Sequence, residues 1–192
     1  MSQLILHGKR QRYWSLRNLR TETQSIDFVD FRALNAVTQF DTCPLPVLGE
    51  TVSTLHGSKY FSVIDCYSGF WQIKIADEDK PKTPFSTSGH YQFQRLPYGL
   101  SNSPASFQRL MDIVLRNLTG TECYVFIDDV ILFADTIEEH ACRLKHVLQR
   151  FEKAHLQLQP GKCVFAQSQV QYLGYIVSRD GITASPDKVK AA

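Results

Sequence analysis

Two adjacent aspartates, Asp128 and Asp129, stand inside the apolar stretch YVFIDDVILF at residues 124–133. Burying an ionised carboxylate is costly and a second negative charge beside it is repelled, so the pair needs compensation. Three interpretations are open. Aspartate is a common turn residue, which favours an ordinary turn. A calcium site would need the spaced oxygen ligands and the glycine of an EF-hand loop, and these are absent. The third interpretation is a catalytic magnesium site.

A magnesium site would need a further carboxylate, and Asp65 is the candidate. It ends the apolar stretch YFSVID, so it has the same local character as the aspartate pair. If the two strands are neighbours in one sheet, Asp65 and Asp128 would face the same ions. Two metals about 4 Å apart would then hold the attacking and leaving oxygens of a phosphoryl transfer. Spacing alone leaves this adjacency undecided.

The elements that must position these acids can be predicted from periodicity and turn residues. Asp-Asp is predicted to be the two-residue connection of a tight hairpin between ECYVFI and VILFA. Helices are predicted at 44–57, 103–120 and 136–156, strands at 59–66, 71–76, 162–166 and 171–178, and a further helix from Ser185. Helices that alternate with hairpins predict an α+β class, an antiparallel sheet backed by helices.

The two long helices have clear apolar faces. Ser103 is a candidate cap, and Gly120 a candidate stop, for the first of them. Its predicted inward residues are Phe107, Leu110, Met111, Val114, Leu115 and Leu118. For the second helix they are Ile137, Ala141, Leu144, Leu148 and Phe151.

The composition is that of an ordinary globular protein of 192 residues, 43% apolar and 21% charged. No apolar run approaches the roughly 20 residues that cross a bilayer. The N-terminal order, apolar and then basic, is wrong for a secretory signal. The five cysteines contain no C-x-x-C pair. We therefore expect an intracellular protein, cytoplasmic or nuclear and not secreted, without membrane association. The sequence does not indicate whether the protein is a monomer or an oligomer.

The charge distribution is more informative than the net charge of +2. Residues 1–24 carry five basic side chains against one glutamate, whereas residues 117–142 carry six acidic side chains and neither lysine nor arginine. A basic arm suits a polyanion and an acidic centre suits cations. Solvated charge on loops and helix faces is the alternative explanation for each cluster.

Several motifs in order resemble a reverse transcriptase of the gypsy-type long-terminal-repeat retrotransposons. The order is VDFRALNAVT, FSVIDCYSGFWQIKI, FQRLPYGLSNSPASFQRLM, YVFIDDVILFA and KCVFAQSQVQYLGYIVSRDGI, from about Phe28 to the C-terminus. Ordered motifs are far more specific than any one of them. The resemblance implies a polymerase right-hand palm with partial fingers, and RNA-directed DNA synthesis from deoxynucleoside triphosphates on an RNA or DNA template–primer.

The resemblance also implies roles for individual residues. Asp65 and Asp128 would hold two Mg²⁺ ions, with Mn²⁺ as an alternative, and Asp129 would complete the metal site. Lys162 lies where the family has a lysine proposed to protonate the pyrophosphate leaving group. The implied nucleotide-binding residues are Phe70, Tyr98, Gly99, Phe126 and Ile127. The implied primer grip is Tyr172, Leu173, Gly174 and Tyr175.

Among the nucleotide-binding residues, Phe70 falls where the family places an aromatic ring under the incoming sugar. A ring there would clash with a 2′-hydroxyl, so deoxynucleotides should be preferred. Tyr98 stands where retroviruses have glutamine and this lineage more often has phenylalanine. Gly99 would allow close approach of the backbone.

The sequence departs from the family at its start. Ser25 and Ile26 stand where a Trp-Arg pair is usual, and the lysine-rich hairpin that binds the triphosphate is not recognisable. We therefore predict a degenerate basic arm at 1–27, and a fingers/palm domain at 28–192 that ends before a thumb. Losing a phosphate clamp should weaken nucleotide binding. The alternative function is a retroelement remnant, catalytically weak or inactive, that at most binds nucleic acid.

Overall fold

The computed structural model describes residues 29–43, 55, 57–86 and 90–186. The basic arm, the Ser25-Ile26 stretch, most of the helix predicted at 44–57 and the helix predicted beyond Pro186 lie outside the described residues. The described residues form two compact units, one from residues within 1–43 and 69–107 and the other from residues within 44–68 and 108–192. We call them the first and the second unit. No helix among the described residues is long and apolar enough to cross a membrane.

Antiparallel sheets and helices make up the described chain, as the predicted α+β class requires. The helices are α1 (Arg32–Asn35), α2 (Ser103–Val114) and α3 (Ile137–Lys153), with short 3-10 turns at Gly69–Gln72 and Lys80–Lys82. The strands are β1 (Tyr60–Asp65), β2 (Pro84–Ser86), β3 (His90–Gln92), β4 (Cys123–Phe126), β5 (Asp129–Ala134), β6 (Val164–Gln167), β7 (Gln169–Tyr172), β8 (Tyr175–Ser178) and β9 (Gly181–Ala184).

The second unit is built on a four-stranded antiparallel sheet in the order β4-β5-β1-β6. One face of β1 and β5 packs against the three-stranded sheet β7-β8-β9. The core between them contains Phe61, Val63, Ile131, Phe133, Val170, Tyr172 and Val177. Residues alternate across a strand, so Ser62 and its neighbours in even positions face the other side. There the Ser62 hydroxyl lies 3.0 Å from Nε2 of His140 on α3.

Helix α3 begins as its sequence predicts. The Thr136 side chain accepts a hydrogen bond from the Glu139 backbone N–H at 3.2 Å, which is half of a capping box. Its buried face is His140, Val147 and Phe151. The predicted inward face is therefore correct at Phe151 and wrong at Ile137, which is 41% exposed, and at Ala141, which is exposed as well.

Helix α2 is shorter than the predicted 103–120. It ends at Val114, and turns continue to Gly120 through Asn117 at φ 69°. The Ser103 hydroxyl does not cap it but donates to the Pro97 carbonyl at 3.2 Å. Four of the predicted inward residues are fully or nearly fully buried, namely Phe107, Met111, Leu115 and Leu118.

The strands predicted at 71–76 and 171–178 are wrong for the same reason. Alternating apolar residues indicate which side chains face a core, but they do not show that the backbone pairs along the whole stretch. WQIKIA forms a 3-10 turn and then one isolated bridge between Lys74 and Arg95. Only Ile73 and Ile75 exchange backbone hydrogen bonds with the 94–96 segment. The stretch 171–178 is not one strand but a hairpin of β7 and β8.

Candidate active site

The three acidic residues meet at one end of the sheet of the second unit. Asp65 ends β1 and lies directly opposite Asp129, the first residue of β5, in the antiparallel register. Asp128 precedes it in the turn that joins β4 to β5. The backbone N–H of Cys66 donates to the Asp128 carbonyl at 3.3 Å, which fastens the end of β1 to this turn. The adjacency that the sequence left undecided is therefore present.

The hairpin turn differs from the predicted Asp-Asp connection. Phe126 pairs with Asp129, so the two connecting residues are Ile127 and Asp128. Ile127 has φ 57°, and Asp128 is not among the described residues with positive φ. Positive φ at the first central residue alone is typical of a type II′ turn, which suits the twist of a hairpin. A β-branched residue there is strained by about 1–3 kcal/mol.

Strand alternation places Asp65 and Asp129 on the face that β7 and β8 cover. They are two residues on from Val63 and two residues before Ile131, both in the core against that sheet. Tyr172 at the end of β7 is buried in the same core. Burial, and then the charge of Asp129, raises the pKa of the Tyr172 hydroxyl.

A loop after α3 brings a lysine to Asp65. The backbone N–H of Gln159 donates to the Asp65 carbonyl at 2.9 Å, and that of Tyr67 donates to the Gln157 carbonyl at 3.0 Å. The loop continues to Lys162, whose Nζ lies 3.3 Å from Asp65 Oδ2. The lysine side chain is 67% exposed and the aspartate side chain 17%. The hydrogen bond and the charge of Asp65 raise the pKa of Lys162, which favours its protonated form.

The other two carboxyls carry an uncompensated electrostatic cost. Burial, followed by the charges of Asp128 and Asp65, raises the pKa of Asp129 to about 6. Burial also raises the pKa of Asp128, although a hydrogen bond from its own backbone N–H opposes the rise. One exposed lysine does not neutralise three acids, so the site favours a further cation.

This cost predicts how stability depends on pH. With a pKa of about 6 in the folded state against 3.8 as the ordinary value, Asp129 binds more protons when folded. Stability should therefore fall as pH rises from about 4 to 6, and the loss should be complete above that range. In EDTA, Asp129→Asn should raise the free energy of unfolding by about 1–2 kcal/mol at pH 7.5, a value discounted for solvent screening, and by much less at pH 4.5.

Urea unfolding at the two pH values measures this effect. Asp135→Asn is the matched control, because Asp135 is an exposed acid just after the same strand. A gain for Asp129→Asn that is equal at pH 4.5 and pH 7.5 would contradict the assigned electrostatic cost.

The first unit brings together three of the predicted nucleotide-binding residues. The rings of Phe70 and Tyr98 lie 5.2 Å apart at a tilt of 56°, and Phe70 also meets Phe107 edge-on at 6.0 Å. Gly99 follows Tyr98 with φ 94°, a conformation that disfavours other residues. A Cβ there would lie 3.5 Å from the ring of Phe31, which is ordinary contact, so the backbone angle is the stronger constraint.

Asn35 at the end of α1 contacts the backbone beside the predicted nucleotide-binding residue Gly99, and the sequence did not single it out. Its Nδ2 donates to the Gly99 carbonyl at 2.8 Å, and its Oδ1 accepts from the Ser101 N–H at 2.9 Å. The side chain therefore holds the backbone on both sides of Leu100, directly after the glycine. In the sequence, Asn35 is an asparagine next to the apolar face of a short helix. This pattern does not distinguish it from an ordinary surface residue.

The remaining predicted residues lie in the second unit. Phe126 ends β4, half-buried against the core, and Ile127 occupies the turn. Tyr172 and Tyr175 pair across the β7–β8 hairpin, whose turn residues Leu173 and Gly174 have φ 50° and 77°. Positive φ at both central positions is typical of a type I′ turn. The hairpin thus presents the predicted primer grip as a tight turn.

Comparison with known proteins identifies the class of protein that this sheet and its acidic residues define. A family model for reverse transcriptase (RNA-dependent DNA polymerase) matches residues 15–177. The chain belongs to the reverse transcriptase family, and the predicted membership is confirmed. The family is one of nucleotidyltransferases.

Among curated proteins, the chain is similar to Pol polyproteins of Drosophila melanogaster transposons. It is 49% identical to the opus polyprotein, 43% to that of transposon 297 and 42% to that of gypsy, in each case over 164 residues. These matches cover 85% of this chain and 16% of each relative, so the chain spans about a sixth of their length. The predicted resemblance to gypsy-type elements is confirmed.

Solved structures give the same result for the fold. A foamy viral protease–reverse transcriptase in complex with an RNA/DNA hybrid matches with a TM-score of 0.75 and 27% identity, over 84% of this chain and 22% of that one. The same enzyme with double-stranded DNA matches with a TM-score of 0.74, over 85% and 35%. The α+β palm and partial fingers predicted from the sequence are confirmed.

Proposed function

We propose that this chain adds deoxynucleotides to a primer 3′ end under the direction of an RNA or DNA template, as the fingers and palm of a retrotransposon polyprotein. The observation that carries the proposal is the pairing of Asp65 with Asp129 beside Asp128, with Lys162 on Asp65, in a chain of this family. The foamy viral enzyme in complex with an RNA/DNA hybrid or double-stranded DNA supports nucleic acid as the partner.

The acidic residues fit divalent metal ions, and we propose that Asp65, Asp128 and Asp129 hold two Mg²⁺ or Mn²⁺. Carboxylate oxygens are the ligands that magnesium prefers. Burial and repulsion among the acids raise the pKa of Asp128 and Asp129, and bound cations would offset both effects. Within the described residues, no group of three or more His, Cys, Asp or Glu is arranged to hold a metal by itself. The ions would therefore take their remaining ligands from water and substrate phosphates, which commonly fill the shell of magnesium.

The bound ions would supply charge stabilisation for the attacking and leaving oxygens. In the reaction, the primer 3′-hydroxyl would lose its proton to solvent water, its oxygen would form a bond to the α-phosphorus of the nucleotide, and the bond from that phosphorus to the pyrophosphate oxygen would break. Protonated Lys162, whose Nζ lies 3.3 Å from Asp65 Oδ2, would give its proton to that leaving oxygen. The rest of the catalysis is positioning, as expected for phosphoryl transfer.

Binding of the substrates is assigned to the other predicted residues. Phe70, Tyr98 and Gly99 would contact the incoming nucleotide, with the Phe70 ring selecting against a 2′-hydroxyl. Phe126 and Ile127 would contact the nucleotide next to the acids, and residues 172–175 would hold the primer end. Template contacts would be dominated by backbone and shape, since a polymerase accepts any sequence.

Primer extension tests the proposal. The purified 192-residue chain, given oligo-dT on poly-rA and millimolar dTTP, should extend the primer with Mg²⁺ or Mn²⁺. It should stop when EDTA removes the metal, and it should use UTP much less well than dTTP. High dTTP compensates for the weak triphosphate binding that the Ser25-Ile26 stretch predicts. No extension with either metal would overturn the proposal, and duplex binding without extension would favour the remnant interpretation.

A further inference from the structure

The turn that carries Asp128 is held in a strained conformation by a side chain of helix α2. Ile127 is a β-branched residue at φ 57°, and its backbone N–H donates to Oε1 of Gln108 at 2.7 Å. On the other side of the turn, the Asp128 carbonyl accepts from Cys66 N–H. The two peptide groups that flank the Ile127–Asp128 peptide are therefore each held by a hydrogen bond.

Both polar atoms of the Gln108 side chain form hydrogen bonds. Its side chain lies in the interior, 1% exposed, and its Nε2 donates to Asp112 Oδ1 at 2.9 Å, one helical turn further on. The Asp112 oxygen accepts from the amide nitrogen of Gln108, which leaves the amide oxygen to face Ile127. The glutamine also stands on the buried stripe of α2, beside Phe107 and Met111, where an apolar residue is the rule.

We propose that Gln108 is a positioning residue for nucleotidyl transfer, because it fixes the backbone from which the Asp128 carboxylate projects. The inference rests on the proposed function. A backbone left free to relax at Ile127 would turn the next residue away from Asp65 and Asp129. Displacements of about 1 Å in such a site lower rates by up to about 100-fold.

Gln108→Ala should lower the kcat for primer extension by about 10- to 100-fold and change the KM for primer–template less than about twofold. Gln108→Glu should also lower kcat, since it places a second carboxylate against Asp112. Adding Asp112→Asn to Gln108→Glu should restore most of it, because the new amide donates to the new carboxylate, which still accepts from Ile127. Gln149→Ala, an exposed position on α3, is the control and should keep wild-type kcat.

Hydrogen exchange at the Ile127 amide provides a readout independent of activity. Exchange should accelerate at least about tenfold in Gln108→Ala and return toward the wild-type rate in the double variant. If the wild-type chain extends primers, an unchanged Ile127 exchange rate or an unchanged kcat in Gln108→Ala would overturn the role of Gln108. The proposed function would still stand. A wild-type chain without extension would overturn both. If Gln108→Ala does not fold, the kcat and the Ile127 exchange rate are compared between Gln108→Glu and the double variant Gln108→Glu/Asp112→Asn. Equal values in these two variants and the wild type would overturn the role of Gln108.

Discussion

Replacing Asp128 by asparagine is expected to lower the rate of primer extension by about 10³-fold or more while the chain stays folded. Loss of one preorganised electrostatic contact in an active site commonly lowers the rate by about 10²- to 10³-fold, and here the same charge would also bind metal. Asparagine keeps the shape and removes only the charge. Because Asp128 raises the pKa of Asp129 by repulsion, its removal should not destabilise the metal-free chain.

Loss of activity without loss of stability would distinguish a functional aspartate at position 128 from a structural one. A structural turn aspartate would lose stability and activity together when replaced. Single-turnover extension with saturating dTTP, measured beside urea unfolding in EDTA, reports both quantities. Asp135→Asn serves as control and should leave both unchanged. Activity of Asp128→Asn within tenfold of the wild type would contradict the assignment of Asp128 to the metal site.

The sequence predicts the elements of this site better than their details. Apolar strands that end in acids predicted β1 and the β4–β5 hairpin, because burial and alternation are local signals. Register depends on pairing across the sheet, and this is why the turn contains Ile127-Asp128 instead of Asp-Asp. No local rule favours isoleucine at positive φ, and the hydrogen bond from its N–H to Gln108 lies outside the reach of local rules.

The errors at WQIKIA and at residues 171–178 have a related cause. Alternating apolar residues indicate which side chains face a core. This indication is partly correct in both stretches, since Ile75, Tyr172 and Val177 are buried. Whether the backbone pairs continuously depends on a partner segment elsewhere in the chain. In YLGY only Gly174 is a typical turn residue. The other central residue of the turn is Leu173, and leucine seldom adopts a left-handed conformation, so the sequence offered little indication of a turn.

Polar residues that act through other residues are the hardest to predict. Asn35 and Gln108 each hold a backbone segment more than 15 positions away in the sequence. From sequence alone they look like any polar residue on a helix. Lys162 is intermediate, since its exposure is ordinary for a lysine and only its contact with Asp65 distinguishes it.

Replacing Lys162 by alanine is expected to lower kcat by about 10²-fold or more, the usual contribution of a general acid. The lysine is placed on Asp65, and the raised pKa keeps its proton available at neutral pH. Lys162→Arg keeps the positive charge but cannot release a proton usefully, because the pKa of arginine exceeds about 12. If proton donation is the role of Lys162, arginine should restore little of the rate, whereas a purely electrostatic role would be restored substantially.

The acidity of the leaving group gives a second discrimination. Nucleotide analogues with a β,γ-bridging methylene or difluoromethylene group release poorer and better leaving groups than pyrophosphate. A general acid matters most when the leaving group is poor, so the rate of Lys162→Ala should depend more steeply on leaving-group acidity than the wild-type rate. Lys153→Ala, an exposed lysine at the end of α3, should show the wild-type slope. Equal slopes for Lys162→Ala and the wild type would exclude proton donation, and the lysine would then act on Asp65 through its charge alone.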